Sequence, residues 1–344
     1  MIDTRILPVR DIDRDFENIR EAARILREGG LVAIPTETVY GLAADALNPE
    51  SVKQIFVAKG RPQDNPLIVH ISQVCELLPL VERVPEKAQL LMEHFWPGPL
   101  TMIFPKSGKV PLTTTGGLDT VAVRMPSHPV AQAIIREAGV PLAAPSANLS
   151  GSPSTTSAQH CIDDLTGRVD AIVASGDCEV GLESTVISMV CDPPRILRPG
   201  AVTKEQMEAV IGPVELDRAV TAQLEEGAVA ASPGMKYKHY SPKAKVVIVE
   251  GEFEPFAQFL DSRTEEGVYG LVFQGEGEKL SKPCLEFGDS HDPAQQAHWL
   301  FAALRQMDEL GARVVYVRCP SKAGVGLAVY NRLLRAAAFE VMKL

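Results

Sequence analysis

Alternating helix-period and strand-period segments, glycine and proline breaks between them, and a change of composition near Gly212 predict an α/β protein of two units. The first unit, 1–212, carries a mostly buried sheet. The second, 245–344, is a smaller α/β layer fold, and 213–244 forms the linker between them.

In the first unit, ENIREAARILREGG sets Ile19, Ala22, Ala23 and Leu26 on one helical face and ends at a glycine pair. LVAIPTET reads as a short strand. In NPESVKQIFVAKG, Asn48 is the N-cap, Pro49 takes the first helical position, and Val52, Ile55 and Phe56 face inward. PLIVHI is the next strand. A helix at 86–94 precedes the strands LTMIFP and TVAVRMP, followed by the helix SHPVAQAIIREAG and the strand VPLAAPSA. The helix SAQHCIDDL, the strands DAIVAS and STVISM, and the helix TKEQMEAVIG, with a Thr203–Gln206 capping box, complete the unit. In the second unit KVVIVE, GVYGLVF and RVVYVR are strands, and DPAQQAHWLFAALRQMDELG and GLAVYNRLLRAAAFE are helical. No internal repeat relates the two units.

Composition narrows the function classes. The formal charge of −10 argues against broad non-specific contact with nucleic acid or anionic membrane, while leaving room for a local basic cleft. The six cysteines are scattered without a C-x-x-C pair, which argues against a disulfide scaffold or a zinc ribbon. The charged N-terminus is unlike a signal peptide, and no apolar run approaches the roughly 20 residues a membrane span requires. A cytoplasmic location is the expectation. The chain carries no G-x-x-x-x-G-K-[ST], H-E-x-x-H or G-x-S-x-G motif, and GVGLAVYN holds only half of a dinucleotide fingerprint.

Polar segments instead gather at predicted strand ends, where open α/β sheets bind ligands. PTETVYG offers Thr36 and Thr38; AKGRPQDN offers Lys59, Arg61 and Asn65; PLIVHI ends near His70. GLDTVAVRMP brings Thr120 and Arg124, LESTVI brings Ser184, and RILRPG brings Arg198. APSANLSGSPSTT is a loop of small donors suited to phosphate oxygens.

Each has a plainer account. Lys59 and Arg61 could complement the dipole at the end of the preceding helix. A buried Arg124 needs an anion, from protein or ligand. His70 fits a hydrogen-bonded core histidine, and Glu37 and Glu183 could bind a metal or cap backbone. Their coincidence favours an anion site: four cations (Lys59, Arg61, Arg124, Arg198) and one hydroxyl-rich loop converge on a single sheet of an acidic protein.

In this order, PTETVYGL, AKGRPQDNPLIVHI, WPGPLT, GLDTVAVRMPSHP, APSANLSGSPSTT, ESTVI and ILRPG resemble the YrdC-like threonylcarbamoyl-AMP synthases. SPGMKYKHYSP and GLAVYNRLLRAA are similar to the two-domain form, so the resemblance spans nearly the whole chain. It implies a twisted mixed sheet with helices enclosing a deep positive cavity, a Rossmann-like second domain, and a linker folding over the cavity mouth. The implied activity joins L-threonine, bicarbonate or CO2, and ATP, with Mg2+, into L-threonylcarbamoyl-AMP and pyrophosphate. A downstream threonylcarbamoyl transferase complex then modifies the adenosine beside the anticodon of tRNA.

By the same resemblance, Thr38, His70, Arg124, Ala144 and Ser184 surround threonine. Arg61, Asn65, Thr120, Ser146, Asn148, Ser154, Arg198 and Tyr237 hold ATP, with His239 and Tyr240 as weaker candidates beside Tyr237. Lys59 and Arg61 offset phosphate charge during the reaction, and the metal ligands stay unassigned. Two rivals stand against this expectation. A non-catalytic RNA-binding module would need a broad basic face and an aromatic ladder. Carbamoyl transfer within a larger maturation enzyme would call for acylphosphatase and zinc-finger segments upstream.

Overall fold

The structure, a computed structural model, describes residues 2–223 and 240–344. Among these, eleven strands form one sheet and five form a second. From one edge, the large sheet runs Arg5–Pro8, Ala171–Ala174, Val32–Ile34, Gly41–Asp45, Leu142–Ala143, Ile68–His70, Thr120–Arg124, Leu100–Pro105, Thr185–Ser188, Arg195–Arg198 and Glu215–Leu216. Parallel and antiparallel pairs mix within it. The smaller sheet is parallel throughout, in the order Cys284–Glu286, Val268–Val272, Val314–Arg318, Lys245–Glu250, Val341–Lys343. The protein is therefore the mixed α/β fold expected, with a second, smaller α/β unit.

Helix ends follow local chemistry. Asn48 Oδ1 accepts from the N–H groups of Glu50 and Ser51 at 3.0 and 3.4 Å, and Pro49 opens the helix Pro49–Lys59. Thr203 and Gln206 form the reciprocal capping box of Lys204–Ile211. The helix Phe16–Arg27 buries Ile19, Ala22, Ala23, Ile25 and Leu26.

The expected strand over VPLAAPSA contracts to Leu142–Ala143, flanked by Pro141 and Pro145, which have no N–H for a ladder. Gly41–Asp45 is a strand that its own composition does not announce. A Cβ at Gly41 would stand 3.1 Å from the Ala144 Cβ, so the close approach there selects glycine. The closing helix spans Gly324–Ala336, short of the expected extent, because Ala338 and Phe339 take positive φ of 49° and 67°.

Register sets up the site. His70 and Thr101 are both partners of Arg124 on the central strand Thr120–Arg124, one from each side. Thr185–Ser188 lies parallel to Leu100–Pro105 and carries Ser184 in alongside Thr101. On the next strand the register shifts between Ile196 and Arg198, an extra residue that re-aims Arg198.

Residues 215–216, inside the segment expected as linker, pair with Arg195–Ile196 and extend the large sheet. The shift of composition at Gly212 thus precedes the end of that sheet. The core of the smaller unit also takes in Val39 and Leu182 from the larger one, packed with Tyr240 and Phe301. Among the described residues no helix is long and apolar enough to cross a membrane.

Candidate active site

Arg124 ends its strand with a buried guanidinium. Its Nη2 stands 2.7 Å from Glu37 Oε1, its Nη1 donates to Thr38 Oγ1 at 2.7 Å, and its Nε donates to the Gly98 carbonyl at 3.3 Å. Glu37 also accepts from the Ser127 N–H at 3.1 Å. Burial works against its charge, but Arg124 beside it holds the carboxyl below its ordinary range.

His70 pairs with Arg124 across the sheet, and its Nδ1 lies 3.2 Å from the Ile68 carbonyl. Burial, then the Arg124 charge, pushes its pKa down to about 3, so the imidazole is neutral at physiological pH.

Ser184 Oγ sits 2.7 Å from Thr101 Oγ1 and accepts from Arg198 Nη2 at 3.1 Å. Arg198 Nε donates to the Ser184 carbonyl at 3.0 Å, and burial lowers the pKa of this guanidinium.

The two cations flanking Gly60 part company. Gly60 closes its helix with φ of 65°, and the Arg61 N–H bonds the Phe56 carbonyl at 2.9 Å, so main chain caps this end. The Lys59 side chain instead donates to the carbonyls of Ser146 and Asn148, inside the APSANLSGSPSTT loop. Burial and then the Arg61 charge lower its pKa well below the ordinary value. Arg61 Nη2 donates to the Asn65 and Pro66 carbonyls at 3.4 and 3.1 Å. Asn148 Nδ2 ties the same loop to the Leu149 and Ser152 carbonyls at 2.7 and 2.9 Å.

A cavity opens between these segments. All five residues expected around threonine, Thr38, His70, Arg124, Ala144 and Ser184, line it. So do Arg61, Ser146 and Arg198, three of the residues expected to hold ATP, and the weaker candidate Tyr240. Lys59, Asn65, Asn148 and Ser154 are buried off its walls, and Thr120 is half-buried at the start of its strand. Tyr237 and His239 lie outside the described residues. Tyr240 holds a φ of 63°, a conformation rare for a bulky side chain.

Of the alternatives left open for the two glutamates, Glu37 does cap backbone, at the Ser127 N–H, and also pairs with Arg124, while Glu183 pairs with Arg332 at 2.8 Å. Among the described residues no group of three or more His, Cys, Asp or Glu is placed to hold a metal ion. Sequence reasoning missed Thr101, hidden in an apolar strand, and Arg332, whose partner lies in the other unit.

Residues 24–200 match the family model described as telomere recombination (Sua5, YciO, YrdC), and residues 202–338 match the model for the threonylcarbamoyl-AMP synthase C-terminal domain. A threonylcarbamoyl-AMP synthase of Pyrococcus abyssi is 45% identical over 99% of this chain and 99% of its own. The chain belongs to the threonylcarbamoyl-AMP synthase family. A second member, from Bacillus subtilis, is 47% identical over 97% of this chain and 96% of its own. The crystal structure of P. abyssi Sua5 complexed with L-threonine superimposes with a TM-score of 0.93 at 44% identity, covering 99% of this chain and 100% of that one. Synthases of this family make an AMP adduct, and this chain has their two-domain organisation.

Proposed function

We propose that this threonylcarbamoyl-AMP synthase is a nucleotidyltransferase that joins L-threonine, bicarbonate or CO2, and ATP in the cavity described above. One observation carries the reading: all five residues expected around threonine, three of those expected to hold ATP and the weaker candidate Tyr240 line a single cavity. The complex of the P. abyssi relative with L-threonine supports the choice of amino acid.

The threonine amine adds to bicarbonate with loss of water, giving a carbamate. A carbamate oxygen then attacks the α-phosphorus, the bond to the β-phosphate oxygen breaks, and pyrophosphate leaves. No protein nucleophile enters, so catalysis rests on positioning and charge. In this reading Arg124 and Thr38 hold the threonine carboxylate, and neutral His70 and Ser184 contact its polar groups. Arg61 and Arg198 face the phosphates. Asn65, Thr120, Ser146, Asn148 and Ser154 complete the nucleotide side, and Lys59 braces the loop that carries three of them. Mg2+ accompanying ATP would supply charge neutralisation for the departing pyrophosphate, and no residue of the chain is assigned to hold it.

The mixed anhydride suits transfer, through a downstream threonylcarbamoyl transferase complex, to the adenosine beside the tRNA anticodon. A cytoplasmic reaction, where ATP and tRNA meet, belongs to the same proposal. The test is pyrophosphate release from ATP and bicarbonate, with and without L-threonine, in wild type and Arg124→Ala. Threonine-dependent release that collapses in the variant is expected. Release indifferent to threonine, or salt-sensitive RNA binding without release, overturns the reading.

A further inference from the structure

The loop 146–156 is anchored at its two ends by the larger unit. The Ala147 N–H bonds the Tyr40 carbonyl at 2.8 Å, and the Tyr40 N–H bonds the Thr155 carbonyl at 2.8 Å. Its tip is held from the other side. Arg305, on the helix Pro293–Glu309 of the smaller unit, donates through Nη2 to the Pro153 carbonyl at 2.6 Å and through Nε to the Ser154 carbonyl at 3.5 Å. The same guanidinium grips Asp164 with two bonds, at 3.1 and 2.8 Å, and Asp164 accepts from the Leu149 N–H at 3.0 Å. The Ser241 N–H reaches the Gly151 carbonyl at 2.9 Å.

A second arginine of the smaller unit acts on the cavity wall. Arg332 is fully buried. Its Nε donates to Glu183 Oε2 at 2.8 Å, its Nη2 to the Glu183 carbonyl at 3.3 Å, and its Nη1 to the Pro199 carbonyl at 2.9 Å. Glu183 in turn accepts from the Ser154 hydroxyl. Glu183 and Pro199 are the chain neighbours of Ser184 and Arg198, so one side chain staples both segments that carry those two.

We propose that Arg305 and Arg332 are positioning residues through which the smaller unit sets the nucleotide side of the active site. Arg305 fixes the loop tip; Arg332 fixes Glu183, and through it the Ser154 hydroxyl. Neither touches the reacting atoms. A planar fork bonding several acceptors at once defines geometry that a lysine point charge does not. The inference rests on the reading that this loop holds ATP.

The test measures MgATP and L-threonine affinity separately by calorimetry on the full chain, with steady-state pyrophosphate release beside it. Arg305→Ala and Arg332→Lys should each weaken MgATP about threefold to thirtyfold. L-threonine affinity in the absence of nucleotide should stay within about twofold for Arg305→Ala. Arg305→Ala and Asp164→Asn should act non-additively, as partners in one contact do. Folded Arg305→Ala protein with wild-type MgATP affinity overturns the proposal, as does equal loss of both ligands. Should wild type bind MgATP yet release no pyrophosphate, the reaction proposed above falls, while the affinity comparison still decides the positioning role. Wild type that binds no MgATP overturns both.

Discussion

Glu37 and Arg124 form a buried ion pair, 2.7 Å between Oε1 and Nη2, and Arg124 lines the cavity. Glu37→Gln keeps the shape and the acceptor for Ser127 but leaves the guanidinium without its charge partner. Breaking a buried pair in this way costs about 3 kcal/mol, so urea unfolding should show a loss of that order. A ligand carboxylate then becomes the principal anion for Arg124. The rise in melting temperature on adding L-threonine should therefore be larger in Glu37→Gln than in wild type, and an equal or smaller rise counts against a carboxylate site at Arg124.

The His70 imidazole makes stability depend on pH. Its folded pKa of about 3 lies below the ordinary 6.5, so between those values the unfolded chain binds a proton that the folded chain refuses. His70 therefore contributes stability that is fully present above pH 6.5 and declines as pH falls, by up to about 1.4 kcal/mol per pH unit. Urea unfolding at pH 7, 6 and 5 should fall more steeply in wild type than in His70→Asn. Parallel profiles would show that His70 is not held neutral.

Gly60 separates Lys59 from Arg61 in a left-handed conformation, with open space where a Cβ would go. The effect of Gly60→Ala is thus confined to the backbone, about 1 kcal/mol of stability. Gly60→Asn should recover part of it, because asparagine tolerates this conformation better. Chemical denaturation of the three proteins checks the order Gly, Asn, Ala.

Gly200 poses the opposite case. A Cβ there would stand 2.4 Å from the Thr185 nitrogen and 2.8 Å from the Ser184 carbonyl carbon. Gly200→Ala should cost about 1–3 kcal/mol through overpacking and should displace Ser184 and Arg198 together. Threonine-dependent pyrophosphate release should drop well beyond what the stability loss explains at a temperature where the variant stays folded.

What could be read before folding divides along physical lines. LTMIFP matches its strand residue for residue, because its composition is strongly strand-forming and a Trp-Pro-Gly-Pro turn precedes it. Asn48 and the Thr203–Gln206 box are local hydrogen-bond chemistry, and both stand as expected. Gly41–Asp45 was not legible, since glycine, alanine and aspartate disfavour strands and only the neighbours Val32–Ile34 and Leu142–Ala143 make it one. The cations were visible as candidates, but not the register that sets His70 against Arg124. The assignment of residues to threonine came from family resemblance, not from periodicity. Arg305 and Arg332 read as charges on amphipathic helices; docking of the units, which no local pattern records, turns them inward.

The ion pair between Glu183 and Arg332 spans 149 residues of sequence. At a synthesis rate of roughly 5–20 residues per second, the intervening chain takes about 7 to 30 s to make. Throughout that interval the carboxylate beside Ser154 awaits a guanidinium still to be translated. The larger unit emerges first from the ribosome, and its Glu183 gains this partner only once Arg332 has been made.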